Sequence, residues 1–89
     1  MDSILQTEKA CYLTGRTDRL NKHHIYPGTA NRKVSEANGF TVWLTEDVHK
    51  LVHSDCRLMR ILKQDCQEAY EQDHSREEFR ALIGRSYLD

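Results

Sequence analysis

No stretch of the 89 residues stays apolar for more than a few positions, which excludes a transmembrane helix and a secretory h-region. Met1-Asp2-Ser3-Ile4-Leu5 also lacks the positively charged start of a signal peptide. Cysteine is scarce and odd in number: Cys11, Cys56 and Cys66 argue against a disulfide framework and for a reducing cytosol, so the expected location is cytoplasmic. A basic surplus is missing too, with a net charge of −1. That counts against a dedicated nucleic-acid binder, because phosphate neutralisation supplies much of such affinity. No internal repeat, low-complexity run or interdomain linker is visible. With 38% hydrophobic residues, residues 1–89 read as one small domain with a modest core, of a size that often needs a metal, a disulfide or a partner to fold firmly.

Four of the five histidines lie in two short segments, His23-His24-Ile25-Tyr26-Pro27 and Val48-His49-Lys50-Leu51-Val52-His53. His49 and His53 are four residues apart, so on a helix they project from one face and can hold one divalent ion. Adjacent strand residues point to opposite faces, so His23 and His24 cannot both serve one centre in the same way unless the strand bends. One histidine for a metal and one for a reacting water is a natural division. Solvated helix and loop histidines would give each motif alone; the joint spacing across a strand-sized interval favours the metal.

HHIxP, a polar loop with Asn, the apolar strand Phe40-Thr41-Val42-Trp43-Leu44 and a helix bearing HxxxH resemble the HNH, or ββα-metal, endonuclease family. The loop Pro27-Gly28-Thr29-Ala30-Asn31-Arg32-Lys33 looks most like its small phage-borne members. The resemblance covers roughly residues 11–53. It implies an α+β fold, a ββα-metal (HNH-like) core followed by two C-terminal helices. The implied activity is divalent-metal-dependent hydrolysis of phosphodiester bonds in DNA, in phage DNA processing or as an accessory to packaging. Carried over, His23, His49 and His53 would ligate one divalent ion (Mg, Mn, Ni or Zn), and His24 would be the general base. The family's middle Asn has two candidates, Asn38 for loop pinning and Asn31 for a substrate contact. Many such proteins carry a CxxC zinc knuckle. Here Cys11 is followed by Thr14, and Thr45–Val48 supplies no cysteine pair, which argues against a knuckle; His49, His53 and Cys56 along one helical face are the other zinc-like set.

In chain order, residues 1–20 read as a polar lead-in and a short hairpin turning at Gly15-Arg16-Thr17-Asp18. Residues 21–53 read as the core. Asn21 to Pro27 is its first strand, Thr29 to Ala37 a short helix or structured loop, and Asn38-Gly39 a turn signal. Phe40 to Leu44 is the second strand, and Thr45 is the N-cap of the HxxxH helix. Residues 55–89 form the helical tail: one helix from Asp55 to about Gln72 and another opened by the capping box Ser75-Arg76-Glu77-Glu78, with Arg85–Leu88 folding back on the core. Cys56 is expected buried, Trp43 as core, and His74 as surface.

Charge is unevenly spread: Arg16, Arg19, Lys22, Arg32 and Lys33 stand against Asp18 alone over residues 16–33. Lys22, Arg32 and Lys33 are therefore the candidate phosphate contacts, with DNA as the partner, no membrane, and room for a homodimer or a host or phage protein partner. The rival reading keeps the fold and drops the catalysis: an inert HNH-like module that binds or inhibits, for instance, a host nuclease. Near-neutral charge favours it; His24 beside three intact candidate ligands disfavours it. A third reading is a structural-zinc interaction domain.

Overall fold

Leu20–His24 (β1) and Thr41–Thr45 (β2) pair antiparallel, with His23 opposite Val42 and His24 opposite Thr41. The computed structural model describes all residues, 1–89. A helix, Thr29–Asn38 (α1), connects the strands, and Glu46–Ser54 (α2), Cys56–Tyr70 (α3) and Arg76–Ile83 (α4) follow. The fold is α+β: a two-stranded sheet interleaved with four helices. No helix is long and apolar enough to cross a membrane.

The core lies where the sheet meets α3 and α4. Tyr26, Phe40 and Phe79 are fully buried. Tyr26 meets Phe40 and Phe79 edge-on, each with ring centroids 5.5 Å apart, the arrangement that ring quadrupoles favour. Leu44, Val52, Leu62 and Cys66 fill the space around them. Tyr26 satisfies its buried hydroxyl by donating to the Lys63 carbonyl at 2.7 Å.

Gly39 ends α1 in the left-handed region, φ 72°, with its N–H donating to the Ser35 carbonyl. Asn38-Gly39 is thus the helix stop that turns the chain into β2. A side chain at Gly39 would also strike the Asp2 carbonyl oxygen, which lies 2.2 Å from where a Cβ would sit. The lead-in is therefore part of the fold: the Ile4 N–H donates to the Gly39 carbonyl at 3.0 Å, and Ile4 and Leu5 pack against the core.

The expected hairpin before Leu20 does not form. The Gly15 N–H closes a turn onto the Cys11 carbonyl, and the Tyr12 N–H bonds the Trp43 carbonyl at 2.8 Å. The Cys11 N–H also reaches the Arg16 carbonyl at 2.7 Å, so the segment closes a tight turn on itself and docks on β2 without forming strands. Cys11 is buried there, with the Thr45 hydroxyl 3.9 Å from its Sγ. Thr45 precedes α2 but makes no side-chain cap bond, since its hydroxyl is turned toward that cysteine. Cys56, expected buried, is exposed at the start of α3. Trp43, expected in the core, is half-buried on the outer side of β2, with the Lys9 ammonium 4.6 Å from its ring centroid. The first strand stops at His24, short of Pro27.

The tail forms largely as its sequence directs. Asp55 caps α3, its carboxylate accepting from the N–H groups of Arg57 and Leu58. Ser75 and Glu78 complete a reciprocal capping box on α4. Buried Gln67 accepts from the Tyr87 N–H at 2.7 Å and donates to the Ser86 hydroxyl, holding residues 85–89 on α3.

Candidate metal centre

Strand alternation sends the His23 side chain inward, leaving 3% of the residue exposed, while His24 turns the other way. Because α2 starts directly after β2 and packs back on the sheet through fully buried Val52, one face of α2 overlies His23. That face carries His49 and His53. The ring centroid of His23 lies 5.2 Å from that of His49 and 5.4 Å from that of His53. One nitrogen from each ring lies within 4.8 Å of the others.

This cluster can hold a metal ion. The Nε2 atoms of His49 and His53 are 3.1 Å apart. Two ligands at zinc–nitrogen distances of 2.0–2.1 Å in a tetrahedron are separated by about 3.3 Å, so the helix already sets close to the required bite. Burial, followed by the charges of His49 and His53, pushes His23 down to about 4. Burial and then His53 lower His49. Near neutral pH both present lone pairs rather than protons, as metal ligation requires. None of the three imidazoles has a carboxylate partner. His23 is buried, His49 half-buried and His53 exposed, so three protein donors close one side and solvent reaches the other. A catalytic site needs such an open position.

A depression of about 540 Å³ adjoins the cluster, lined by all three histidines together with His24, Lys22 and Arg32. His24 stands apart from the metal set. Its Nε2 is 2.7 Å from Oε1 of Glu36 on α1, and the Lys22 ammonium holds the other oxygen of that carboxylate at 3.2 Å. The Glu36 carboxyl lies below its ordinary range, chiefly because of the bond to His24 and then that to Lys22. An ionised Glu36 accepts the Nε2–H, which leaves Nδ1 of the neutral ring with its lone pair.

The chain matches no protein-family model, no curated protein and no solved structure.

The other residues singled out from the sequence are scattered. Asn38 is the last residue of α1 and donates to the Val34 carbonyl at 2.9 Å. Asn31 is half-buried in the first turn of α1, and Lys33 is exposed on the same helix; none of the three lines the depression. Cys56 stays outside the ligand group. Sequence reasoning missed Glu36: it is twelve residues from its histidine, and no spacing rule connects a strand residue to a helix that crosses it.

Proposed function

We propose that this chain is a divalent-metal-dependent endonuclease of the HNH type, hydrolysing phosphodiester bonds in DNA in the cytoplasm of a phage-infected or producing cell. The observation that carries the reading is that His23, His49 and His53 converge on one point beside a depression also lined by His24 and Arg32. A bound divalent ion supplies positive charge for the scissile phosphate and the leaving oxygen. His24 Nδ1 takes the proton of the attacking water as its oxygen bonds to phosphorus; the ester P–O bond breaks, and the leaving oxygen is protonated from solvent. Glu36 keeps the imidazole in the tautomer this needs and offsets the charge of the imidazolium that forms. Arg32 and Lys22 on the rim hold flanking phosphates, Lys33 lies further along α1, Asn38 pins the end of α1 through the Val34 carbonyl, and Asn31 is a substrate contact from the first turn of that helix.

An all-imidazole donor set suits zinc or nickel better than magnesium, which prefers oxygen ligands. The deciding experiment is plasmid nicking with Mg²⁺, Mn²⁺, Ni²⁺ and Zn²⁺, beside His24→Ala. Nicking by the wild type and a loss of roughly 10²–10⁴-fold in the variant support the reading. Metal binding without cleavage of supercoiled or single-stranded DNA by any of the four ions defeats it. The rival, an inert binding module, is favoured by one feature: the Lys22–Glu36–His24 network would serve equally as a structural tie between β1 and α1. Under that reading, His24→Ala lowers stability and there is no activity to lose.

A further inference from the structure

The cations of this near-neutral chain are not evenly neutralised. Arg76 and Arg80, on α4, are paired with Glu71 and Asp89. Around a second depression, of about 390 Å³ between the first turns of α3 and the C-terminal tail, the pattern is the opposite. Arg57, Arg60, Lys63 and Arg85 line it together with Tyr87, and no acidic side chain does. Of these four, only Arg57 has an ion-pair partner, Asp55 at 3.7 Å. The Lys63 ammonium and the Arg85 guanidinium crowd one aromatic ring, 5.1 and 4.7 Å from the Tyr87 centroid. Burial, with the charge of Arg85 beside it, lowers Lys63, so the site gains when an anion arrives.

A pair of stacked rings links this depression to the histidine centre. Tyr26 lines the histidine depression and stacks on Tyr87 with centroids 5.7 Å apart. Arg57 lies just past the α2–α3 corner, four residues beyond His53. Arg57, Arg60 and Lys63 recur every third residue, a row spanning roughly 9 Å of helix. Repeated cations without intervening acids match a ligand with repeated anions, such as a nucleic-acid backbone.

We propose that this α3–tail depression binds the DNA backbone, extending from the histidine centre the surface that holds the strand beyond the scissile phosphate. It rests on the nuclease reading for the identity of the polymer, but binding is measurable without cleavage. Arg60 and Arg85 are the main contacts, with Arg57 and Lys63 beside them.

The test is titration of a short fluorescent DNA duplex with the full chain in EDTA at several salt concentrations. Arg60→Gln/Arg85→Gln should weaken binding at least about tenfold at physiological ionic strength and reduce the salt slope by about two. Lys9→Gln/Lys50→Gln removes the same charge from other surfaces and should bind as the wild type does. Arg57→Gln/Arg60→Gln, confined to exposed helix positions, is the second variant should loss of Arg85 disturb the tail; thermal melting reports the fold of each. Unchanged binding in the α3–tail variants, or equal loss in the Lys9/Lys50 control, overturns the proposal even if plasmid nicking succeeds. Charge-selective binding by a wild type that never nicks upholds the surface and defeats the nuclease. A wild type that binds no DNA at all overturns both.

Discussion

Glu36 Oε1 stands 2.7 Å from His24 Nε2, bringing a carboxylate of α1 against the second histidine of β1. His23, one residue earlier, faces α2 and its two histidines. A single strand thus deals its two imidazoles to two different partners, His23 to the histidines of α2 and His24 to the carboxylate of α1.

If the chain is the nuclease proposed above, Glu36 is a positioning residue, so its loss should act on turnover and not on DNA affinity. Glu36→Ala is expected to lower kcat at least about tenfold and at most about 10⁴-fold, the loss reached when the carboxylate fixing a general-base histidine's tautomer is removed, with KM little changed. Glu36→Gln keeps an oxygen able to accept the Nε2–H and should recover part of the loss. Equal defects in Ala and Gln, or a defect confined to KM, would argue against orientation of His24.

His49→Ala and His24→Ala should separate cleanly. The first removes a ligand, so metal affinity falls and the rise in Tm on adding zinc shrinks or disappears. The second leaves three donors and should keep both. Calorimetric titration with zinc beside thermal melts gives the answer; similar metal affinity in the two variants would show that the three-histidine cluster is not the binding site.

The HxxxH pair was legible because helical period alone puts His49 and His53 on one face, and strand alternation alone separates His23 from His24. The capping box at Ser75 was legible for the same local reason. What escaped depends on contacts distant in sequence. The Tyr12 N–H goes to Trp43 and not to a hairpin partner, and the chain turns at residues 12–14, ahead of the expected Gly15–Asp18. Cys56 falls on the outward phase of α3, fixed by how that helix docks. Glu36 and the cationic α3–tail surface both arise from packing that composition averages away.

Gly39→Ala should be among the most damaging small substitutions. The position requires φ 72°, which costs a residue with a Cβ roughly 1–2 kcal/mol, and the added carbon meets the Asp2 carbonyl. Urea unfolding should show a loss of at least that size, and the amino-terminal segment should become more open to proteolysis. A loss below about 0.5 kcal/mol, the scale of ordinary surface changes, would contradict the close approach.

Thiol chemistry should resolve the cysteines. Cys56 is exposed while Cys11 and Cys66 are buried, and burial pushes the Cys66 thiol up to about 12, away from reactive thiolate. One thiol should react rapidly with a chromogenic disulfide in the native protein, and that phase should vanish in Cys56→Ser. Cys11→Ser should leave zinc stoichiometry unchanged; loss of one metal equivalent there would restore a zinc-knuckle role.

Acid should loosen the metal-free protein before its carboxylates are fully protonated. His23 titrates at about 4 in the fold, chiefly from burial and then from the charges of His49 and His53, against 6.5 for a free histidine. Between those values the unfolded chain binds a proton that the folded chain refuses. Stability is therefore complete above about pH 6.5 and declines as pH falls toward 4. The two values correspond to roughly 3 kcal/mol from this residue, and His49, also lowered, adds in the same direction. Urea melts in EDTA at neutral pH and near pH 4.5 should show most of that drop in the wild type and much less in His23→Gln, whose side chain cannot take the proton. Zinc should raise stability most near neutrality and lose its effect over the same acid window, as protons compete for the ligand nitrogens. An undiminished acid slope in His23→Gln would place the sensitive group elsewhere.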